Sequence, residues 1–162
     1  MIKETTSQSG QLMVESIIAI SILVVGLLGT FSLLSRSLSL NRVIADQMIA
    51  ANLAAEGIEL VKNLIDANVL RGGPWNLGLN LGDYEMDFND LILAANQNRK
   101  ISFDSGSGRY GYDSGAATSF QRLITVSQPQ PDEIKVRTLV SWLTRGGGQF
   151  EVNLEDHFFN WR

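Results

Sequence analysis

Cysteine is absent from these 162 residues, histidine occurs once and proline three times. Without cysteine there is no disulfide framework, so any part of the chain working outside the cytoplasm must be held by packing. The lone His157, between Asp156 and Phe158, makes neither a triad nor a zinc site, which leaves it a structural role. No long basic run is present either. Thirteen Lys+Arg against 17 Asp+Glu give a net charge of −4, a poor match to a phosphate backbone, so nucleic acid is not an expected partner. The Gly-rich FDSGSGRYGYDSG is not followed by Lys-Ser/Thr and does not open a helix, so it reads as a surface loop rather than a phosphate cradle. No nucleophile, acid pair or cofactor loop converges. An enzyme is therefore not expected, and no cofactor or resident metal is implied.

Charge is missing altogether from residues 16–35, where IIAISILVVGLLGTFSLL makes one apolar run. At about 1.5 Å per residue, about 20 helical residues cross the ~30 Å of bilayer hydrocarbon. Three other readings compete with a span that also assembles. A helix buried in a soluble protein would need a larger domain to wrap it. A secretory signal would be shorter and followed by a small-residue cleavage site. A plain single-pass anchor fits hydropathy equally well.

Glu15 separates these readings. It stands at the very edge of the apolar run, where a carboxylate entering hydrocarbon costs a few kcal/mol on insertion scales, so it asks for a partner unless it lies solvated at the interface. Together the residues SGQLMVESIIAISILVV resemble the N-terminal signature of type IV prepilins and type II secretion pseudopilins. In that family a short polar leader ends in Gly, cleavage follows, and a Glu stands fifth in the mature chain ahead of an apolar helix. The resemblance implies cleavage by prepilin peptidase between Gly10 and Gln11, methylation at the new N-terminus on Gln11, and an assembly role for Glu15. Two departures stand out: Gln11 where the family usually has Phe, and a leader, MIKETTSQSG, with one Lys and one Glu instead of a basic excess.

The expected function is that of a structural subunit of a type IV pilus or secretion pseudopilus. The late run VSWLTRGGGQFEVNLEDHFFNW is similar to the tails of minor pilins akin to pilus protein V and pseudopilin I, which points to a minor subunit. The resemblance implies as partners other pilin or pseudopilin subunits, the prepilin peptidase, the assembly platform and its motor, and membrane lipid before assembly. It implies a cytoplasmic-membrane location with the N-terminus cytoplasmic, then an extracellular or periplasmic filament. Charge leaves orientation open, since Arg36 and Arg42 follow the helix. In a filament, the ammonium of Gln11 and the Glu15 carboxylate of a neighbour would each need the other, because an unpaired charge in apolar surroundings is heavily penalised. The rival function is an uncleaved, membrane-anchored binding protein or adhesin.

Helical periodicity continues past the span. Ile44, Met48, Ala51, Ala55, Ile58, Val61 and Ile65 recur at spacings of three and four, while Arg42, Asp46, Glu56, Glu59, Lys62 and Asp66 supply polar positions. With Gly72-Gly73-Pro74 as a stop, this predicts one helix from about residue 12 to about residue 70. Two helices parted at the Ser-rich residues 35–41 are the alternative. Gly26 and Gly29 inside the span read as packing notches or as a point of local unwinding.

After Gly73 short segments alternate with turns. Strands are predicted at 122–128, 133–143 and 149–154, joined by QPQPD and TRGGG in an antiparallel meander. Ile134, Val136, Thr138, Val140 and Trp142 alternate onto one face, expected to pack on the helix, and LEDHFFNWR is expected to cap the sheet. GDYEMDFND would project Asp83, Glu85, Asp87 and Asn89 from one strand face as a solvated acidic edge, with Ca²⁺ binding as the sharper alternative. Tyr110, Tyr112, Trp75 and Phe120 are either core or an exposed patch. The fold class is thus α+β and pilin-like: a leader (1–10), a membrane-spanning polymerisation half of the helix (11–35), an amphipathic spine half (36–71) and a β-rich head (72–162).

Overall fold

A computed structural model describes the backbone of residues 6–144 and 147–160, with side chains from Gly10 onward. Residues 1–5 of the leader, 145 and 146 of the TRGGG connection, and 161 and 162 of the aromatic ending lie outside the described residues. The architecture is α+β, one long N-terminal apolar helix followed by a small antiparallel sheet. By contacts the chain divides into two units, at residues 44 and 45.

The helix α1 spans Thr6–Leu70 and includes the Ser-rich 35–41 stretch, so no second helix starts there. It begins six residues before the expected start, inside the polar leader. Its end falls where the glycines stand. Arg71, Gly72 and Gly73 donate their amides back to Ala67, Val69 and Asn68, and Gly72 takes the left-handed conformation (φ 72°) that closes a helix at little cost to glycine. Asn68 then donates its side-chain amide to the Leu77 carbonyl at 2.8 Å, tying the following loop to the last turn.

In the unit from residue 45 onward, the strands are β1 (Gly82–Glu85), β2 (Ala94–Ala95), β3 (Lys100–Asp104), β4 (Arg109–Gly111), β5 (Ala116–Gln130), β6 (Glu133–Leu143) and β7 (Gln149–Phe159). All pairs are antiparallel. One edge of the long β5 is shared: β3 pairs with its first half and β1 with its second, β4 and β2 lying beyond them. Its other edge carries β6, then β7, which is the expected meander. Pro129 falls where the β5–β6 register shifts, a place where a missing ladder N–H is tolerated.

Three expectations are corrected here. LEDHFFNWR does not form a separate cap: residues through Phe159 continue β7, paired with β6 in unbroken register from Gln149 opposite Leu143 to Phe159 opposite Glu133. FDSGSGRYGYDSG is not merely a surface loop, since it contains the β3–β4 hairpin, whose turn is held by the Asp104 carboxylate accepting from the Gly106 amide and the Ser107 hydroxyl. Those bonds favour the ionised form and hold the Asp104 carboxyl below its usual range.

The third correction concerns the packed face of α1. The buried line runs through Ala50, Leu53, Ala54, Gly57, Leu60, Val61 and Ile65, while Ile44, Met48 and Ala55 of the expected stripe are exposed. Bulk misled the pattern: the sheet comes closest where α1 offers its smallest side chains. A Cβ added to Gly57 would lie 2.7 Å from the Thr138 methyl and 3.3 Å from the Arg122 side chain.

Around this contact the core forms two clusters. Leu60, Val61 and Ile65 meet Ile124, Val126, Ile134 and Val136, while Ala50, Leu53 and Ala54 meet Ile101, Phe120, Val140 and Trp142. Each buried aliphatic side chain stabilises the fold by about 1.5–3 kcal/mol. The expected inward face of β6 is the observed one. The open aromatic question resolves toward the core: Phe120 is buried, and Trp75, Tyr110 and Tyr112 pack half-buried against the two clusters.

Candidate functional site

In the first unit, α1 carries the three residues singled out for processing and assembly. Gly10, Gln11, Val14, Glu15, Ile18, Ala19 and Ile22 share one face, as residues three, four and seven apart must on a helix. The Gly10–Gln11 bond lies inside the helix, four residues after its start. All of these side chains are exposed, and Glu15 has no hydrogen-bond or ion-pair partner among the described residues. Ser16 and Ser21, by contrast, return their hydroxyls to the carbonyls of Leu12 and Ile17, at 2.8 and 2.7 Å, and so demand no outside partner. Glu15 is the one charge between Gly10 and Arg36.

The most apolar 18-residue window of α1 has a mean hydropathy of 2.6 and none of it is buried within the chain. By length and composition this helix can cross a membrane. Gly26 and Gly29 both stay helical and have no neighbouring atom within 4 Å of an added Cβ, so nothing in the described chain itself requires glycine there.

The acidic 83–90 segment is organised differently from the expected solvated edge. Strand β1 ends at Glu85, and Met86 then turns the chain inward, so the four side chains do not share one face. Asp83 accepts from the Thr125 hydroxyl at 2.8 Å. Glu85, fully buried, meets the Arg99 guanidinium at 2.6 Å. Asp87, also buried, accepts from the amides of Phe88 and Tyr112, each at 2.8 Å, and Gly111 leaves no room for a Cβ beside it. Carboxylates satisfied by internal donors hold loops together, and no group of three metal-ligating side chains occurs among the described residues.

One residue that the sequence reading passed over organises this region. Arg122 is 4% exposed; it donates to the carbonyls of Leu53 in α1 (3.2 Å) and of Met86 after β1, and lies 3.5 Å from Glu56. Its guanidinium also faces the Tyr112 ring at 6.0 Å, and burial pushes the Tyr112 hydroxyl up from its usual range. The signal was present: Arg122 alternates in phase with Phe120, Ile124 and Val126, the inward face of β5.

No protein-family model, curated protein or solved structure matches this chain.

His157 joins β7 to β6, contacting Glu133 through Nδ1 and Glu155 through Nε2 at 3.3 Å, while Lys135 reaches Glu155 at 3.1 Å. The Glu133 bond, then the Glu155 bond, raise the histidine above its ordinary value of 6.5. A raised folded value means the bond contributes fully below the unfolded value and is lost as pH rises through the folded one. The thermal midpoint should therefore fall as pH rises above the ordinary value of 6.5, and His157→Gln should flatten that slope. An unchanged slope in the variant would place the pH dependence elsewhere.

Proposed function

We propose that this chain is a type IV pilin-like structural subunit, cut after Gly10 and assembled through its apolar helix into a filament. The observation that carries this reading is Glu15: an exposed carboxylate, without a partner among the described residues, on the face it shares with Gly10 and Gln11, at the head of a charge-free apolar run. Cutting the Gly10–Gln11 bond would create an ammonium one helical turn from that carboxylate. In lipid-like surroundings each charge is costly alone, and a correctly docked neighbour supplies the opposite sign. A subunit one step out of register would leave the two charges only each other, without the neighbour's. Filament packing would replace lipid contacts with helix contacts, with Gly26 and Gly29 as points of close approach. The β-rich remainder would form the outer surface, as a minor subunit with its N-terminus originally cytoplasmic.

The resemblance of residues 9–25 to prepilins supports this assignment, and the helix geometry adds one requirement. A protease cleaves extended chain, so the turn around Gly10 must unwind before cutting. That same feature favours the rival reading, an uncleaved membrane-anchored binding protein. Intact-mass analysis of the protein from its native membrane decides between them. A chain starting at Gln11 is the expected species, and one retaining residues 1–10 in the functional protein overturns the pilin reading. Glu15→Leu should leave membrane insertion intact and reduce incorporation into filaments at least about tenfold, the equivalent of about 1.4 kcal/mol. Normal incorporation of that variant would remove Glu15 from the mechanism.

A further inference from the structure

Two apolar surfaces of the unit from residue 45 onward lie uncovered on different flanks of α1. One is concave. A groove of about 500 Å³ runs between the end of α1 and the 77–93 segment, with Leu64 and Met86 in its lining and Leu77, Leu91 and Ile92 at its mouth. Leu91 and Ile92 are 78% and 75% exposed, although each stands in a short segment that sends its neighbour Leu93 against the core. The other surface is the convex outer side of α1: Met48 (67% exposed) and Ala55 stand exposed, with Ala51 and Ile58 half-buried beside them, and together they form a ridge. At about 100° per residue, the ridge lies about 170° around α1 from the helix residues that line the groove. Contiguous exposed apolar surface of this kind marks a contact site.

We propose that the ridge of Met48, Ala55 and Ile58 on one copy of this chain seats in the Leu77, Leu91 and Ile92 groove of the next. Shape selects the occupant, because a ridge fills a groove whereas two grooves face to face leave a void that forfeits packing. Charge agrees with shape. The groove is bordered by Arg71 and Asp90, the ridge by Glu59 and Lys62, and Arg71, Glu59 and Lys62 have no ion-pair partner among the described residues. Each copy thus offers the neighbour one charge of either sign, which fixes orientation more than it adds affinity. Since ridge and groove are different surfaces, the contact is heterologous: every copy that docks leaves a free groove at one end of the assembly and a free ridge at the other. Such a contact extends without closing into a dimer. It deepens the filament reading and rests on it for the open chain of copies.

The absence of cysteine makes the test direct, since introduced thiols are the only ones present. Met48→Cys and Leu91→Cys both fall at exposed positions and should leave folding unchanged. Mild oxidation of the full chain in its membrane should give a ladder of multimers from the double variant, only dimers from a mixture of the two single variants, and monomers from either alone. Adding Ile92→Asp to the double variant should reduce the ladder at least tenfold. Dimers from Leu91→Cys alone would mean that the groove meets its own copy, and cross-links to a different protein would mean another partner; either overturns the proposal. The N-terminal mass is read on the same sample. A ladder on chains that retain residues 1–10 supports the contact and sinks the pilin reading, whereas cleaved, assembled chains without a ladder sink the contact alone.

Discussion

Gly57→Leu should abolish the packed structure of the unit from residue 45 onward, and Gly57→Ala should weaken it in a way that a second substitution repairs. A Cβ at position 57 would stand 2.7 Å from the Thr138 methyl and 2.9 Å from its hydroxyl, distances that real atoms do not keep, so α1 must lift from β6 or Thr138 must yield. Thr138 is fully buried between neighbours and its hydroxyl makes no hydrogen bond among the described residues, so yielding means backbone movement. Overpacking of this kind costs about 1–3 kcal/mol, against which alanine returns up to about 1 kcal/mol of helix propensity. The net expectation for Gly57→Ala is a thermal midpoint lower by roughly 5 °C in the detergent-solubilised chain. Thr138→Ala removes both clashing atoms, so the double variant should be more stable than the sum of the singles predicts, by about 1 kcal/mol or more. Strict additivity would show that the two residues do not meet. Leucine at 57 leaves no such escape, and loss of the near-ultraviolet circular dichroism of Trp142, buried in the same core, is the readout.

Arg122→Leu carries the second large effect. The substitution keeps an apolar stem on β5 but strips the donor from the Met86 carbonyl, where the turn after β1 meets the sheet interior, and leaves Glu56 without its cation. Breaking a buried pair from one side costs about 3–5 kcal/mol; Glu56 is about one-third exposed and recovers water, so the expected loss is nearer 2–3 kcal/mol. Glu56→Gln keeps an oxygen that can accept from the guanidinium and removes only the counter-charge, so it should cost less, about 1 kcal/mol. The asymmetry between the two is the diagnostic, and equal effects would mean that Arg122 acts through its ion pair and not through the carbonyls.

Much of this architecture could be read in advance where a single period dominates. Five alternating residues of β6 predicted its inward face, and Gly72-Gly73-Pro74 predicted the helix end within a residue. The packed side of α1 could not be read the same way, because hydrophobic counting favours large side chains and this interface is built from Ala50, Ala54 and Gly57. Glu85 and Asp87 escaped for a related reason. A carboxylate in a polar-looking run reads as solvated until Arg99 and the Tyr112 amide, 14 and 25 residues later, are known to fold onto it. Around Gly10, Gln11 and Glu15 the situation reverses. The motif is local and legible, while the structure of one chain adds only that the carboxylate is exposed and has no partner among the described residues.

The Gly57 contact also has a mechanical meaning. Displacing α1 along its axis by one residue, about 1.5 Å, would begin to carry Glu56 or Ile58 toward the space that Thr138 fills, and would stretch the bond from Arg122 to the Leu53 carbonyl. Tension applied to the helix would therefore reach the sheet as shear across a keyed joint, with the notch as keyway and the guanidinium as pin. Joints loaded in this manner yield late, because sliding must break the interlock before any strand can peel.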